Sequence, residues 1–256
     1  MLTNNKGTET EIIQVNKYER NKVIDLVAKE KTLNIYVNQK YIVTLNCSPG
    51  NLKYLATGFL YSAGIVQDKN GIISTKTGKK GIYFQINNSL FSPDKIYSAN
   101  LINQIKQTVP GNRGPLSIEN SSKLNISTIY LLITLMQEKA EFFKLSGGVH
   151  NCGLANLNGC LVLFCEDISR YNTIDRILGE AFLKNINTDD KIILTSCRIT
   201  SGIMQKIIKG NIPIVISRSA PTDYAIQLAD KQGITLIGFA RGERMNIYAH
   251  SERIDN

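Results

Sequence analysis

Hydrophobic and polar positions follow two different patterns, one before and one after about residue 110. In the first part, apolar residues alternate with mostly polar ones over 33–37 and again over 41–45, on either side of a short polar turn. Period-two alternation around a tight turn predicts a β-hairpin. Apolar residues at helical spacing predict a helix over 51–63. Two more short strands are predicted at 71–76 and 81–87, so the first part is a small β-rich unit.

The second part alternates strands with helices. Strands are predicted at 160–165, 191–195, 212–217 and 234–239, and helices at 127–143, 171–183, 199–209 and 221–232. Three of the strands are nearly uniform apolar runs, which is typical of strands buried on both faces, and helical crossovers imply parallel pairing.

The sequence therefore predicts an α/β fold with two domains. A small β-rich N-terminal domain covers residues 1–110, and a three-layer α/β domain covers residues 127–256. Between them, residues 111–126 are predicted to form an exposed loop, because Pro, Gly, Ser and Asn cluster there.

Composition narrows the class of protein. The chain has 256 residues, of which 43% are apolar and 20% charged, as in ordinary globular proteins. No signal peptide is expected, because residues 1–7 are polar and no apolar segment follows them, and no membrane span is expected, because no apolar run is long enough. Five cysteines, an odd number without a regular framework, are typical of reduced thiols in a cytoplasmic protein.

The net charge of +9 is unevenly distributed. Residues 1–110 hold 14 Lys or Arg against 7 Asp or Glu, whereas residues 111–256 hold 16 against 14. Such a balance suits an anionic ligand, an acidic partner or nucleic acid, or is simply a solvated basic surface. Trp and basic-aromatic interleaving are missing, so no nucleic-acid partner is expected. There is also no C-x-x-C pair, and no metal site is predicted.

Arginines recur where the predicted parallel strands end. Ligands of open parallel sheets collect at the carboxyl ends of the strands. The residues that follow these strands include Arg170, Arg198, Arg241 and Arg244, with Arg218 close by. The guanidinium group of arginine can form two parallel hydrogen bonds to the oxygens of a phosphate or carboxylate, so this edge is a candidate anion site. The alternative is that Asp167 and Asp175 pair with these arginines.

Backbone and thiol groups extend the candidate site. Ser219 precedes a predicted helix start and could offer free N–H groups to an anion. His150 follows two glycines, and Cys152 lies two residues beyond it. A Cys beside a His can act as a nucleophile, so Cys152 is the first candidate thiol and Cys197 the second. Cys160 and Cys165 fall in a predicted strand and are expected to be structural.

Five motifs, in this order along the chain, together resemble one family, the formate dehydrogenase accessory sulfurtransferases called FdhD. The resemblance covers about residues 33–250. The motifs are Gly-Phe-Leu-Tyr-Ser-Ala-Gly-Ile at 58–65, Ser-Gly-Gly-Val-His at 146–150, Glu-Asp-Ile-x-Arg-x-Asn at 166–172 with Asp175, Ser-Ala-Pro-Thr at 219–222, and Gly-Phe-x-Arg-x-x-Arg-x-Asn-x-Tyr at 238–248.

The resemblance implies a cytidine-deaminase-like α/β domain and a homodimer. It also implies binding of the molybdenum bis-guanine-dinucleotide cofactor, for which GDP is a mimic. Sulfur would pass from a cysteine desulfurase to the cofactor before the cofactor enters formate dehydrogenase. The implied nucleotide pocket consists of Phe239, Ala240, Arg241, Gly242, Glu243 and Arg244, with His150, Arg170, Arg198 and Ser219 nearby.

The sequence departs from the family at the residues that carry sulfur. The family's C-x-x-C pair precedes the helix predicted from residue 127, and here residues 111–120 contain no cysteine. Ala63, Tyr171 and Cys197 also replace an acidic residue, a His and a Gly. Two hypotheses remain: a sulfurtransferase that uses Cys152 or Cys197, and a non-catalytic escort of the same cofactor.

Overall fold

The structure, a computed structural model, describes residues 6–87 and 123–255. The predicted loop at 111–126 therefore lies mostly outside the described residues. Its last three residues belong instead to a short strand and to the start of a helix.

The N-terminal unit contains two separate sheets. Strands β1 and β2 form a two-stranded antiparallel hairpin, which the sequence analysis did not predict, and the second sheet has the order β4-β3-β6-β5. The predicted hairpin, helix and two strands are confirmed. The elements are β1 (Gly7–Val15), β2 (Arg20–Ala28), β3 (Lys31–Val37), β4 (Lys40–Cys47), α1 (Leu52–Ser62), a 3-10 turn (Lys69–Gly71), β5 (Ile72–Gly78) and β6 (Gly81–Ile86).

Alternation along β3 explains why this sheet carries a helix on one face only. Leu33, Ile35 and Val37 are buried against apolar residues of α1 such as Leu55 and Leu60. The polar residues between them face away, as the two-residue period of a strand requires.

The second unit is built on a six-stranded sheet with the order β13-β12-β11-β10-β8-β9. Its elements are β7 (Leu124–Asn125), α2 (Ile126–Lys139), α3 (Glu141–Ser146), β8 (His150–Asn156), β9 (Leu161–Asp167), α4 (Arg170–Lys184), β10 (Lys191–Thr195), α5 (Ser201–Lys209), β11 (Ile214–Ser217), α6 (Asp223–Lys231), β12 (Thr235–Arg241), β13 (Arg244–Ala249), a 3-10 turn (Ser251–Arg253) and β14 (Ile254–Asp255).

The predicted three-layer arrangement is confirmed. On one face Ile193 belongs to a core shared with α4, α5 and α6. On the other face its neighbours Ile192 and Leu194 pack in a core shared with α2. Both faces of the strand are covered, which accounts for the uniform apolar runs in the sequence.

Two details differ from the prediction. The helix expected over 127–143 is broken at Ala140, whose ψ of 55° is not helical, so α2 and α3 are separate helices. Strand β8 was not predicted, and it runs antiparallel to both of its neighbours, β9 and β10.

The two units meet at the crossing of α1 and α4. Each helix contributes a glycine: a Cβ on Gly58 would lie 1.7 Å from the carbonyl oxygen of Asp175, and a Cβ on Gly179 would lie 1.9 Å from that of Tyr54. Only residues without a side chain allow this approach. No helix of the described residues is long and apolar enough to cross a membrane.

Candidate functional site

The carboxyl ends of four strands meet at one edge of the six-stranded sheet. Strands β10, β11 and β12 are parallel, and β9 has the same direction because β8 is antiparallel to both β9 and β10. Strand β8 therefore begins where the others end, and His150 pairs with Asp167. This is the edge at which open α/β sheets bind ligands.

Hydrogen bonds join the loops at this edge into one continuous surface. Ser196 donates its N–H to the carbonyl of Asn151 (3.1 Å), and Ser219 donates its hydroxyl to the carbonyl of Ser196 (2.9 Å). Phe239 donates its N–H to the carbonyl of Ser219 (3.3 Å). The loops that follow β10 and β11, and the end of β12, are thus held in a fixed relation to the start of β8.

Five arginines lie at this edge, and we call them the arginine edge: Arg170, Arg198, Arg218, Arg241 and Arg244. Within residues 6–87 and 123–255, no carboxylate lies within ion-pair distance of any of them. The alternative that Asp167 and Asp175 neutralise them is wrong. Asp167 accepts a hydrogen bond from Nε of Arg176 (2.7 Å), and Asp175 bonds Lys206 (2.8 Å), both in the interior.

Arg218 and Arg241 are the most constrained members of the arginine edge. Arg241 donates from Nε to the carbonyl oxygen of Arg218 (2.9 Å). Burial, and then the nearby charge of Arg241, lower the pKa of Arg218 below its ordinary value. The buried Nε of Arg218 has no partner among the described residues. An unpaired donor on a crowded cation would be stabilised by a bound anion.

A second unpartnered polar atom lies at the same edge. Asn151 is 2% exposed, and its Oδ1 accepts no hydrogen bond within the described part of the chain. Its backbone N–H and carbonyl are both used by Ser196. Buried polar atoms are normally paired, but the Oδ1 of Asn151 and the Nε of Arg218 are two atoms at this edge that have no hydrogen-bond partner among the described residues.

The connection from β12 to β13 presents two arginines side by side. Arg241 pairs directly with Arg244 across a two-residue turn, and Gly242 in that turn has a positive φ of 55°. Like charges opposite each other on neighbouring strands repel. Phe239 also has a positive φ, 52°, which is strained for a non-glycine residue, and 37% of it is exposed.

His150 and Arg170 meet at the other end of the edge. Burial, and then the charge of Arg170, lower the pKa of His150, so the imidazole is neutral at pH 7. Arg170 lies over the ring of Tyr171 at 5.0 Å. Arg198 is exposed in the loop after β10.

Ser219 and Ala240 were predicted to lie at the pocket, but the backbone N–H of Ser219 is already hydrogen-bonded and the side chain of Ala240 is buried. The helix expected from residue 221 begins at Asp223 with Thr222 as its N-cap, and the Ser219 N–H donates to Ser217 Oγ (3.0 Å), so Ser219 has no free N–H at a helix start. Ala240 is buried in the core beneath α2, and its side chain cannot line a pocket. Glu243 lies in the β12–β13 turn and its carbonyl accepts a hydrogen bond from Tyr130 (2.8 Å).

Cys152, the first candidate thiol, lies on a strand and not in a loop that faces a ligand. Cys152 is the third residue of β8 and is fully buried, and burial raises its pKa well above that of an ordinary thiol. Cys197 does lie in the loop after β10, but it is 2% exposed and burial also raises its pKa. Neither group is an accessible thiolate. Cys160, expected to be structural, is the exposed one of the five cysteines, all of which are described.

Sequence analysis missed the residues that fix the edge to the N-terminal unit. Arg176 donates to Asp167 and to the carbonyls of Ser48 and Gly50, and Asn172 donates to the carbonyl of Asn46 (2.8 Å). No local pattern signals the contacts with Ser48, Gly50 and Asn46, since each joins residues more than 100 positions apart. The motif at 166–175 marks this segment as unusual but does not indicate which residues of the N-terminal unit it contacts.

Comparison with known proteins gives a consistent family. Residues 28–255 match the sequence profile described as the FdhD/NarQ family. Among similar proteins, one from Bacillus pumilus named "Sulfur carrier protein FdhD" is 35% identical over 240 residues, covering 90% of each chain. A protein of the same name from Saccharolobus solfataricus is 33% identical over 251 residues, covering 95% of this chain and 96% of the other.

The fold is also found in a solved structure. A crystal structure of a protein assigned as a formate dehydrogenase accessory protein, from Desulfotalea psychrophila, superposes with a TM-score of 0.80. It covers 97% of this chain and 99% of its own, at 24% sequence identity. The predicted α/β architecture with a smaller β-rich unit therefore agrees with an experimental fold.

Proposed function

The chain belongs to the FdhD/NarQ family, and we propose that it is an accessory protein of formate dehydrogenase that binds the molybdenum bis-guanine-dinucleotide cofactor at the arginine edge. The observation that carries this proposal is the adjacent pair Arg218 and Arg241, which has no carboxylate partner among the described residues. A site that keeps cations uncompensated is suited to an anion that is supplied from outside.

The residues present fit the nucleotide part of the cofactor. Its pyrophosphates need cationic donors, and arginine provides these in a forked arrangement. Its guanines need an aromatic face and polar partners, and the exposed ring of Phe239 and the unpartnered Oδ1 of Asn151 lie at the same edge. The chain's own residues would bind and orient the nucleotide; the metal and its sulfur ligands are cargo.

Sulfur transfer is the second candidate function, because similar proteins are named sulfur carriers. A thiolate of this chain would attack the outer sulfur of a desulfurase persulfide, and the desulfurase thiolate would leave. Cys160 is the thiol exposed for such a step. It lies at the turn between β8 and β9, and a seven-residue strand separates that turn from the arginine edge by about 20 Å.

That separation favours the escort over the sulfurtransferase. Sulfur on Cys160 could not reach a cofactor held at the arginine edge of the same subunit. Incubation with a cysteine desulfurase and labelled cysteine, followed by mass spectrometry, tests the point, with Cys160→Ser as the control. Persulfide on any of the five cysteines would support sulfur transfer, whereas no label above that of a cysteine-free variant would support the escort.

Nucleotide binding is tested by calorimetric titration of the full chain with GDP, guanosine and ADP. We expect GDP to bind and guanosine to bind at least about tenfold more weakly, because guanosine lacks the charged groups that the arginines would hold. Lack of GDP binding, or equal affinity for GDP and guanosine, would contradict the proposal. Equal affinity for ADP would contradict the guanine part alone.

A further inference from the structure

Three tyrosines and a lysine form a continuous row across the outer face of the β4-β3-β6-β5 sheet. Tyr36 of β3 pairs with Tyr41 of β4 on one side and with Tyr83 of β6 on the other. Tyr83 in turn pairs with Lys76 of β5. We call these four residues the tyrosine row. Because side chains alternate along a strand and Ile35 is buried in the core shared with α1, the row lies on the face opposite that helix.

The tyrosine row is exposed, and its geometry is fixed by contacts within it. Tyr41 is 47% exposed, and Lys76 is also exposed. The ring of Tyr36 stacks on that of Tyr83 with the centroids 4.6 Å apart, and the Tyr41 ring meets the Tyr36 ring edge to face at 5.9 Å. The Tyr41 hydroxyl lies 2.8 Å from Oγ1 of Thr44. Side chains that are already ordered lose little conformational entropy when they bind, so this row is suited to holding a partner.

The formal charges carried by the strands and turns of this sheet are all positive. Residues 31–47 and 72–86, which form the four strands and their two hairpin turns, contain five lysines and no Asp or Glu. Lys40 lies at the β3–β4 turn, and Lys79 and Lys80 form the β5–β6 turn at the opposite end of the sheet. Among the described residues, no carboxylate lies within ion-pair distance of any of the five lysines. An aromatic centre with a charged rim is a common arrangement of protein interfaces.

From the row and the charges around it we infer that this face binds an acidic segment of another protein. Carboxylates of the partner would pair with the lysines at the rim, and its apolar side chains would pack on the tyrosine row. A second copy of this chain does not fit, because two identical faces would bring lysines against lysines, and a twofold interface has to be self-complementary.

Single-stranded nucleic acid fits this face less well than protein does. Proteins that bind single strands on a sheet stack the bases on free aromatic ring faces. Here the ring of Tyr83 is stacked on that of Tyr36, and a Cβ on Gly78 would lie 3.1 Å from the Tyr83 ring. The other neighbour of the Tyr36 ring is Tyr41. The faces of the stacked pair are thus occupied by neighbouring groups of the chain itself.

The test is a titration of the full chain with a short fluorescent peptide rich in Glu and Leu, with NMR to locate the binding surface. We expect resonances of the tyrosine row to shift, and Tyr41→Ala and Lys76→Glu each to weaken binding at least about tenfold. Tyr18→Ala and Lys53→Glu are the matched controls and should bind as the wild type does. Tyr18 is 84% exposed but lies in the turn between β1 and β2, and Lys53 is exposed on α1, on the other side of the sheet.

Three results would overturn the inference. The first is no peptide binding, or binding that shifts only the arginine edge or is equally tight in a folded Tyr41→Ala variant. The second is an oligouridine of the same length that binds the tyrosine row more tightly than the peptide, which would assign the face to nucleic acid. The third is concentration-dependent broadening of the row in the free chain, which would assign it to a second copy. GDP should shift the arginine edge and not the tyrosine row, so this test is independent of the nucleotide proposal.

Discussion

Removal of Arg241 is the perturbation that bears most directly on the anion site. In the folded chain Arg241 is exposed, and its Nε donates to the carbonyl oxygen of Arg218 (2.9 Å). Arg241→Ala therefore creates no core cavity and leaves that carbonyl accessible to water. A surface substitution of this kind changes the free energy of unfolding by about 0.5 kcal/mol at most.

The effect on nucleotide affinity should be much larger than the effect on stability. A hydrogen bond to a charged group contributes about 1.5–3 kcal/mol, which corresponds to roughly a 10- to 150-fold loss of affinity. Arg218 is protonated at pH 7 with or without Arg241, because guanidinium groups do not lose their proton in proteins. We therefore expect a loss within that range.

Calorimetric titration with GDP measures this loss, and Arg20→Ala is the matched control. Arg20 is the first residue of β2, outside the six-stranded sheet, and its removal lowers the net charge by the same amount. The control separates a specific contact from the general attraction of a basic protein. Unchanged affinity in both Arg241→Ala and Arg244→Ala, or an equal loss in Arg20→Ala, would refute the assignment of the pocket.

Three further predictions concern groups in and around the sheet. Cys152→Ser should lower the free energy of unfolding by about 1–3 kcal/mol, because it buries a hydroxyl in an apolar core; it should leave GDP affinity unchanged in calorimetry, and a GDP defect at full stability would contradict its structural role. Lys206→Ala should lower the free energy of unfolding in urea by about 3–5 kcal/mol, because it leaves the buried Asp175 without its cation. A smaller decrease in the double variant with Asp175→Ala would show that the two side chains are coupled. An equal or greater decrease would contradict the coupling. The pKa of His150 is lower in the folded chain than in the unfolded chain, so the unfolded chain binds this proton first as the pH falls. The free energy of unfolding should therefore be highest above about pH 6.5 and decrease below it, and the urea midpoint should decrease less in His150→Gln than in the wild type. Identical pH profiles of the two proteins would contradict the lowered pKa.

Much of the architecture could be predicted because it rests on local patterns. The run Ile192, Ile193, Leu194 is apolar on both faces and is a central strand, and the alternation over 33–37 is a strand with one covered face. The arginines could be assigned to one edge because parallel strands bring their carboxyl ends together.

The features that could not be predicted depend on distant contacts. Strand β8 contains Gly153 and several small residues, and it is a strand because β9 and β10 pair with it on both sides. The burial of Cys152 follows from that position and has no signal in its own neighbours. Similarly, Asp167 is adjacent to Arg170 in the sequence but is bound by Arg176 in the fold.

The most direct test of the central claim is a crystal structure of the full chain with GDP. The account predicts the diphosphate between Arg218 and Arg241, with the guanine against Phe239, and hydrogen bonds to the Nε of Arg218 and the Oδ1 of Asn151. GDP bound elsewhere, for example in the cleft lined by Tyr61, Phe182 and Asn185, would contradict it, as would an unchanged arginine edge at saturating GDP.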